Sequence, residues 1–223
     1  PLSFSVSETT EGVHIHIIDA ELMGKGEKEK KDLYIEGVQN NGIINHYEYI
    51  INSEGTIEIR HVLKPEGKMP LWFPRIGLTL TVSDALDQVK WYGRGPQENY
   101  PDRKTGYPTG IYASTVQAMY EPYLMPQDYG LRTDVRWLQL TTDKGIGLQF
   151  KMNEWFNFNI YPYSTDNLTK AMYIYQLQKQ KGMTLNLDYA TTGVGCTARG
   201  VFGAYKAMPQ EYRRTISIKP MMK

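Results

Sequence analysis

Trp91-Tyr92-Gly93-Arg94-Gly95-Pro96-Gln97-Glu98-Asn99-Tyr100-Pro101-Asp102-Arg103 is the stretch around which the chain is organised. It packs two Gly, two Pro, two Arg, two acids, an Asn, a Gln and three large aromatics into thirteen residues, a density that suits a surface loop rather than a strand or helix. Residues 76–82 and 86–91 read as strands just upstream, so the loop leaves the end of a sheet. Arg94 and Arg103 are planar donors, and Glu98, Asn99 and Asp102 are partners able to lock them. Two readings follow: an internally hydrogen-bonded corner, or an aromatic and polar surface that grips a sugar. Phosphate cradling is excluded, because Gly93-Arg94-Gly95-Pro96 lacks the Gly-Lys-Ser/Thr ending.

Three further stretches are rich in the same residue types: Phe73-Pro74-Arg75-Ile76-Gly77; Pro126-Gln127-Asp128-Tyr129-Gly130-Leu131-Arg132-Thr133-Asp134-Val135-Arg136-Trp137; and Leu187-Asp188 followed by Gly193-Val194-Gly195. Together with 93–103, and in this order, they resemble the signature segments of the small C-terminal domain of family-two β-galactosidases. The likeness spans residues 45–220. It implies an all-β fold, a large antiparallel two-sheet sandwich of the galactose-mutarotase kind, that walls an active site. It also implies that the catalytic glutamates and the metal ions sit in a separate α/β barrel. The expected partners are therefore that barrel, the other domains of the full enzyme and a galactoside substrate. Two departures stand out. The family's opening Pro-Asn-Phe-Trp-Arg stretch is absent, so the sandwich is expected to lack its first strands or to be rearranged. The Trp that some members place after Gly-Val-Gly is also missing, leaving Phe202 or Arg199 as substitutes.

At 223 residues the chain is long enough to bury a substantial core. Its 25 basic and 24 acidic residues balance, which argues against nucleic-acid and anionic-membrane partners. The single Cys196 excludes an internal disulfide and a multi-cysteine zinc site. Pro1-Leu2-Ser3-Phe4 has neither a basic n-region nor a long apolar core, so no signal peptide is expected, and a start at Pro1 suits a fragment or processed product. The compartment, cytoplasm or periplasm, stays open.

Residues 4–18 alternate and read as two strands around Glu11-Gly12. His14 and His16 share one strand face at a spacing that metal pairs use, but without a third ligand they read as solvent-face residues, and no metal site is expected. The charge run 24–32 reads as a solvated linker, which divides the chain into residues 1–32 and a sandwich domain over 33–223. Further strands are expected over 33–36, 43–51, 56–63 and 69–72, with a break at Lys64-Pro65-Glu66-Gly67, and irregular chain over 105–125. Residues 133–140 read as a strand carrying an Arg132-Asp134-Arg136 ladder on one face. Strands over 146–159, 183–190 and 211–219 and a helix over 164–180, capped by Ser164, complete the reading.

Retaining glycoside hydrolysis needs two carboxyl groups about 5 Å apart on one anomeric carbon. Only Glu98 with Asp102, and Asp128 with Asp134, are worth testing as such pairs, and arginines stand beside each. All four His (14, 16, 46, 61) fall in the first third, which disfavours a mutarotase acid/base pair, and no Gly-x-Ser-x-Gly elbow occurs. The expectation is a domain with no catalytic residue and no cofactor of its own. Its candidate carbohydrate contacts are Arg94, Glu98, Asn99, Tyr100, Arg103, Arg132, Asp134 and Phe202. The competing reading is a free-standing carbohydrate-binding module in which Trp91, Tyr92, Arg94 and Glu98 hold a glycan. Sheet edges left by missing strands would favour homo-oligomers.

Overall fold

The computed structural model describes residues 1–22, 41–195 and 200–222. The fold class is the expected one, an all-β antiparallel sandwich with almost no helix. The chain divides into two compact units.

The first unit comprises Pro1–Phe73 and Met208–Lys219. Its strands are β1 (Ser3–Thr9), β2 (Gly12–Leu22), β3 (Gly42–Ile51), β4 (Ile57–Glu66) and β11 (Tyr212–Met221), paired antiparallel in that order. Two-residue alternation sorts their side chains. Ile43, Ile59, Leu63, Tyr212 and Ile216 are buried, while Ser5, Ser7, His14, His16, Glu48 and Arg60 lie on the other face by register. Strand β4 runs on through Lys64-Pro65-Glu66, where the sequence suggested a break, because each of those residues pairs with β3 at Ile44, Ile43 and Gly42. Residues 69–72 form no strand. The strand expected over 33–36, and the linker boundary after residue 32, lie outside the described residues.

The second unit comprises Pro74–Ala207 and Pro220–Lys223. Strands β5 (Arg75–Val82), β6 (Gln88–Arg94), β7 (Thr109–Thr115), β8 (Arg132–Thr141), β9 (Gly147–Tyr161) and β10 (Met183–Thr191) pair antiparallel in the order β7-β6-β8-β9-β10-β5. Trp91, Leu138, Leu140, Phe158, Leu185 and Leu187 are fully buried, each worth about 1.5–3 kcal/mol or more by transfer from water. Trp91 also donates from its indole N–H to the Arg94 carbonyl at 3.0 Å and meets Phe158 edge-on, which fixes the exit of the signature loop. Strand β7 occupies part of the 105–125 segment expected to be irregular. Its scattered Tyr and Pro conceal an edge strand that, among the described residues, pairs with β6 alone.

The expected 164–180 helix is short. Helix α1 spans Thr165–Lys170, with Asn167 N–H donating to the Ser164 hydroxyl as the cap requires. It stops because the Gln176 side-chain oxygen accepts the Met172 and Tyr173 N–H groups, and the Asn167 amide bonds the Gln176 carbonyl and the Gln178 N–H. Only Leu168 is buried on the helix itself, so packing gives little reason to extend it.

Candidate functional site

The four motif segments are joined by side-chain hydrogen bonds within the second unit. Arg75, opening β5, donates to both Asp128 oxygens (3.4 and 3.2 Å) and pairs with Asp188 at 3.1 Å. Asn159 on β9 donates to Asp128 and to the Tyr129 carbonyl, both at 2.9 Å. Asp188 on β10 is fully buried. Burial outweighs the attraction of Arg75 and pushes its carboxyl up to about 6.

Glu98 is the centre of the signature loop. Its Oε1 accepts from Arg103 Nη2 at 2.6 Å and from the Tyr123 hydroxyl. Its Oε2 accepts from the Gly130 N–H at 2.9 Å and the Tyr100 hydroxyl at 3.3 Å. Four donors fill the acceptor capacity of a carboxylate. Burial, then the neighbouring Glu98 charge, pushes the Tyr100 phenol well above its ordinary range and keeps it a donor. Asn99, wholly buried, accepts from the Thr133 N–H (3.1 Å) and hydroxyl (2.5 Å).

Arg94 donates from Nε to Asp134 at 2.6 Å and from Nη1 to the carbonyls of Lys104 and Tyr107. Lys104 adds a bond to Asp134 at 2.9 Å. Burial alone would raise the Asp134 carboxyl, but the hydrogen bonds from Arg94 and Lys104 more than offset it and hold it below the ordinary range. The Arg132-Asp134-Arg136 ladder does not form. Pairing of β8 with β9 is interrupted between Arg132 and Val135, and Asp134 adopts a left-handed φ of 54°. The three residues are thereby sent different ways. Arg132 is buried over the Trp91 ring at 5.4 Å and donates to the Gly130 carbonyl, and burial brings its guanidinium down to about 10. Arg136 stacks on the exposed Trp155 at 4.1 Å and on Tyr92 at 4.9 Å.

Asp102 caps the glycine turn, accepting the Val194 and Gly195 N–H groups at 3.1 and 2.7 Å. A Cβ at Gly193 would lie 2.3 Å from the Asp102 carboxyl carbon, so glycine is the residue this contact admits. Phe202 stands 68% exposed on the segment after that turn. The substitute Arg199, and Cys196, lie outside the described residues.

Of the sequence candidates, Glu98, Tyr100 and Arg103 form one cluster, Arg94 and Asp134 a second, Asn99 a backbone brace, and Arg132 a buried support for Trp91. Phe202 joins none of them through a side chain in these bonds. Sequence reasoning did not single out Tyr123, Lys104, the Asp102 cap or the Arg75–Asp188 pair. The last two could have been suspected, since each joins residues from two of the quoted motifs. A cavity of about 260 Å³, lined by Gln127, Asp128, Tyr161, Thr165 and Leu168 among others, adjoins the third motif and is smaller than typical ligand sites of roughly 300–1,000 Å³.

The fold is an antiparallel β sandwich in which Glu98, Asp134, Asp188 and Asp102 are each taken up in bonds that brace loops and strand ends. The chain belongs to the family described as Beta galactosidase small chain, which it matches over residues 6–218. It is similar to the β-galactosidase of Priestia megaterium, 38% identical over 147 residues, which are 66% of this chain and 14% of that protein. It is also similar to the β-galactosidase of Vibrio cholerae serotype O1, 39% identical over 122 residues, 55% of this chain and 11% of that protein. The chain thus spans a small fraction of the length of these relatives. Among solved structures it is similar to galactose 1-epimerase from Lactobacillus acidophilus NCFM, at 9% identity and a TM-score of 0.48, covering 98% of this chain and 65% of that one.

Proposed function

We propose that this chain serves a β-galactosidase as a non-catalytic wall of the carbohydrate pocket, with the hydrolytic glutamates supplied by a separate barrel. The observation that carries this is the saturation of Glu98 by four donors, which leaves it no lone pair for a proton or an anomeric carbon. Asp134 and Asp188 are likewise held by cations, and Asp102 by two backbone amides. Such bracing makes rigid loops, and rigid loops are what a pocket wall requires. Phe202 and the loop at Gly193–Gly195 are the proposed sugar-facing part, because an exposed ring beside a fixed turn can stack on the C–H face of a pyranose. Exposed apolar Phe4 and Val6 on β1, a strand that pairs only with β2 among the described residues, are proposed to pack against other parts of the enzyme.

The binding-module reading is disfavoured by Trp91, which is 0% exposed and unavailable to a glycan. The test is activity by reconstitution. Mixing the chain with the barrel-containing remainder of a β-galactosidase should restore turnover, and Phe202→Ala should raise KM with little change in kcat. Equal KM for the two would overturn the sugar-facing role of Phe202. NMR titration of the chain alone with lactose should leave its resonances unmoved.

A further inference from the structure

The first unit holds a cluster that the bracing loops do not use. His14 and His16 point to the same face of β2, and register places Glu48 of β3 directly opposite His16. The Glu48 carboxylate divides its two oxygens. Oε2 receives Arg60 at 3.0 Å, while Oε1 lies 3.4 Å from His14 Nδ1 and 3.9 Å from His16 Nε2. One ligand atom from each of the three residues falls within 4.8 Å of the other two. Tetrahedral coordination by nitrogen and oxygen at about 2.0–2.1 Å sets ligand atoms roughly 3.3 Å apart. The His14–Glu48 edge, at 3.4 Å, is already near that length, and a turn of the half-exposed His16 ring closes the 3.9 Å edge. The second nitrogen of His14, Nε2, is buried with no hydrogen-bond partner among the described residues, so Glu48 is the polar group that orients this ring.

We propose that His14, His16 and Glu48 form a divalent transition-metal site of the zinc type, with a water completing the coordination. Two imidazoles and one carboxylate are borderline ligands, which select zinc, nickel or copper over magnesium or calcium. The metal takes the lone pair of His14 Nδ1, and the neutral ring then carries its one proton on Nε2. The charge of Arg60 beside the cation is offset by Glu58, which pairs with it at 2.8 Å. His14 and Glu48 are largely covered and His16 is half exposed, which gives a fixed base and an open entry side. Both histidines come from one strand and the acid from its neighbour, so an occupied site would pin the β1–β2 hairpin to β3.

Titration of the chelator-stripped 223-residue chain with Zn²⁺, read by calorimetry, tests this. One equivalent should bind, and the melting temperature should rise with added Zn²⁺. His16→Ala, a change at a half-exposed side chain, should weaken binding at least tenfold and remove the melting shift. Glu48→Gln should do the same, while Cys196→Ser should leave both unchanged. Co²⁺ in place of Zn²⁺ should give a d–d absorption of tetrahedral strength. Absence of a one-equivalent binding event, or binding that His16→Ala leaves intact, would overturn the site.

Discussion

The Asp102 carboxylate accepts the Gly195 N–H at 2.7 Å, which ties the signature loop to the glycine turn ahead of Phe202. Val194 N–H adds a second bond, and the absence of a Cβ at Gly193 is what lets the carboxylate approach. The turn's position is therefore set from a loop distant in sequence.

Gly193→Ala should accordingly cost about 1–3 kcal/mol, the usual penalty for forcing a methyl into occupied space. Asp102→Ala removes the clash together with the bonds, so the double variant should be less destabilised than the two single effects combined, by about 1 kcal/mol or more. Urea unfolding of the four proteins completes the cycle. Simple additivity would mean that the carboxylate does not constrain the turn.

Glu98 and Arg103 differ in burial, and their substitutions should differ accordingly. Glu98→Ala strips partners from Tyr123, Tyr100 and the Gly130 N–H, and is expected to cost about 3 kcal/mol. Arg103, with its side chain 46% exposed, is replaceable by water, and Arg103→Ala should cost about 1 kcal/mol or less. Equal costs would indicate that the pair itself, rather than the web on Glu98, holds the loop.

Asp188 gives the fold a pH signature. Burial raises its folded-state pKa to about 6, above its unfolded value, with Arg75 opposing. A carboxyl raised on folding contributes stability in full below the unfolded value near 4, and loses it as pH rises through about 6. A displacement of that size corresponds to roughly 3 kcal/mol. Measured between pH 4 and pH 7, wild-type stability should fall by about that amount relative to Asp188→Asn. Parallel curves would show that Arg75 keeps Asp188 ionised throughout.

The sheet class was legible because alternation survives in most strands, from 43–51 to 183–190. Helix 164–180 was overread: Ser164 does cap a helix, but the side chains of Gln176 and Asn167 capture the amides and carbonyls that would have continued it. The Arg132–Arg136 ladder failed for a related reason, since two register shifts, between Arg132 and Val135 and between Val135 and Trp137, with Asp134 at a left-handed φ, cancel the two-residue period on which face assignment rests. Strand 109–115 was hidden by its Tyr and Pro neighbours. The site residues were named largely from the motifs, and so was the pairing of Glu98 with Arg103 inside one loop, but the partners from other segments were not. Arg75 with Asp188, Asp102 with Gly195 and His16 with Glu48 are each brought together by tertiary pairing that local sequence does not encode.

The central claim is that this chain braces and walls a sugar pocket without performing hydrolysis. Its most direct test is turnover of a chromogenic β-galactoside by the purified chain alone, with Glu98→Ala alongside. The account predicts no turnover from either protein. Hydrolysis by the wild-type chain that disappears in Glu98→Ala would contradict it and make Glu98 a catalytic residue.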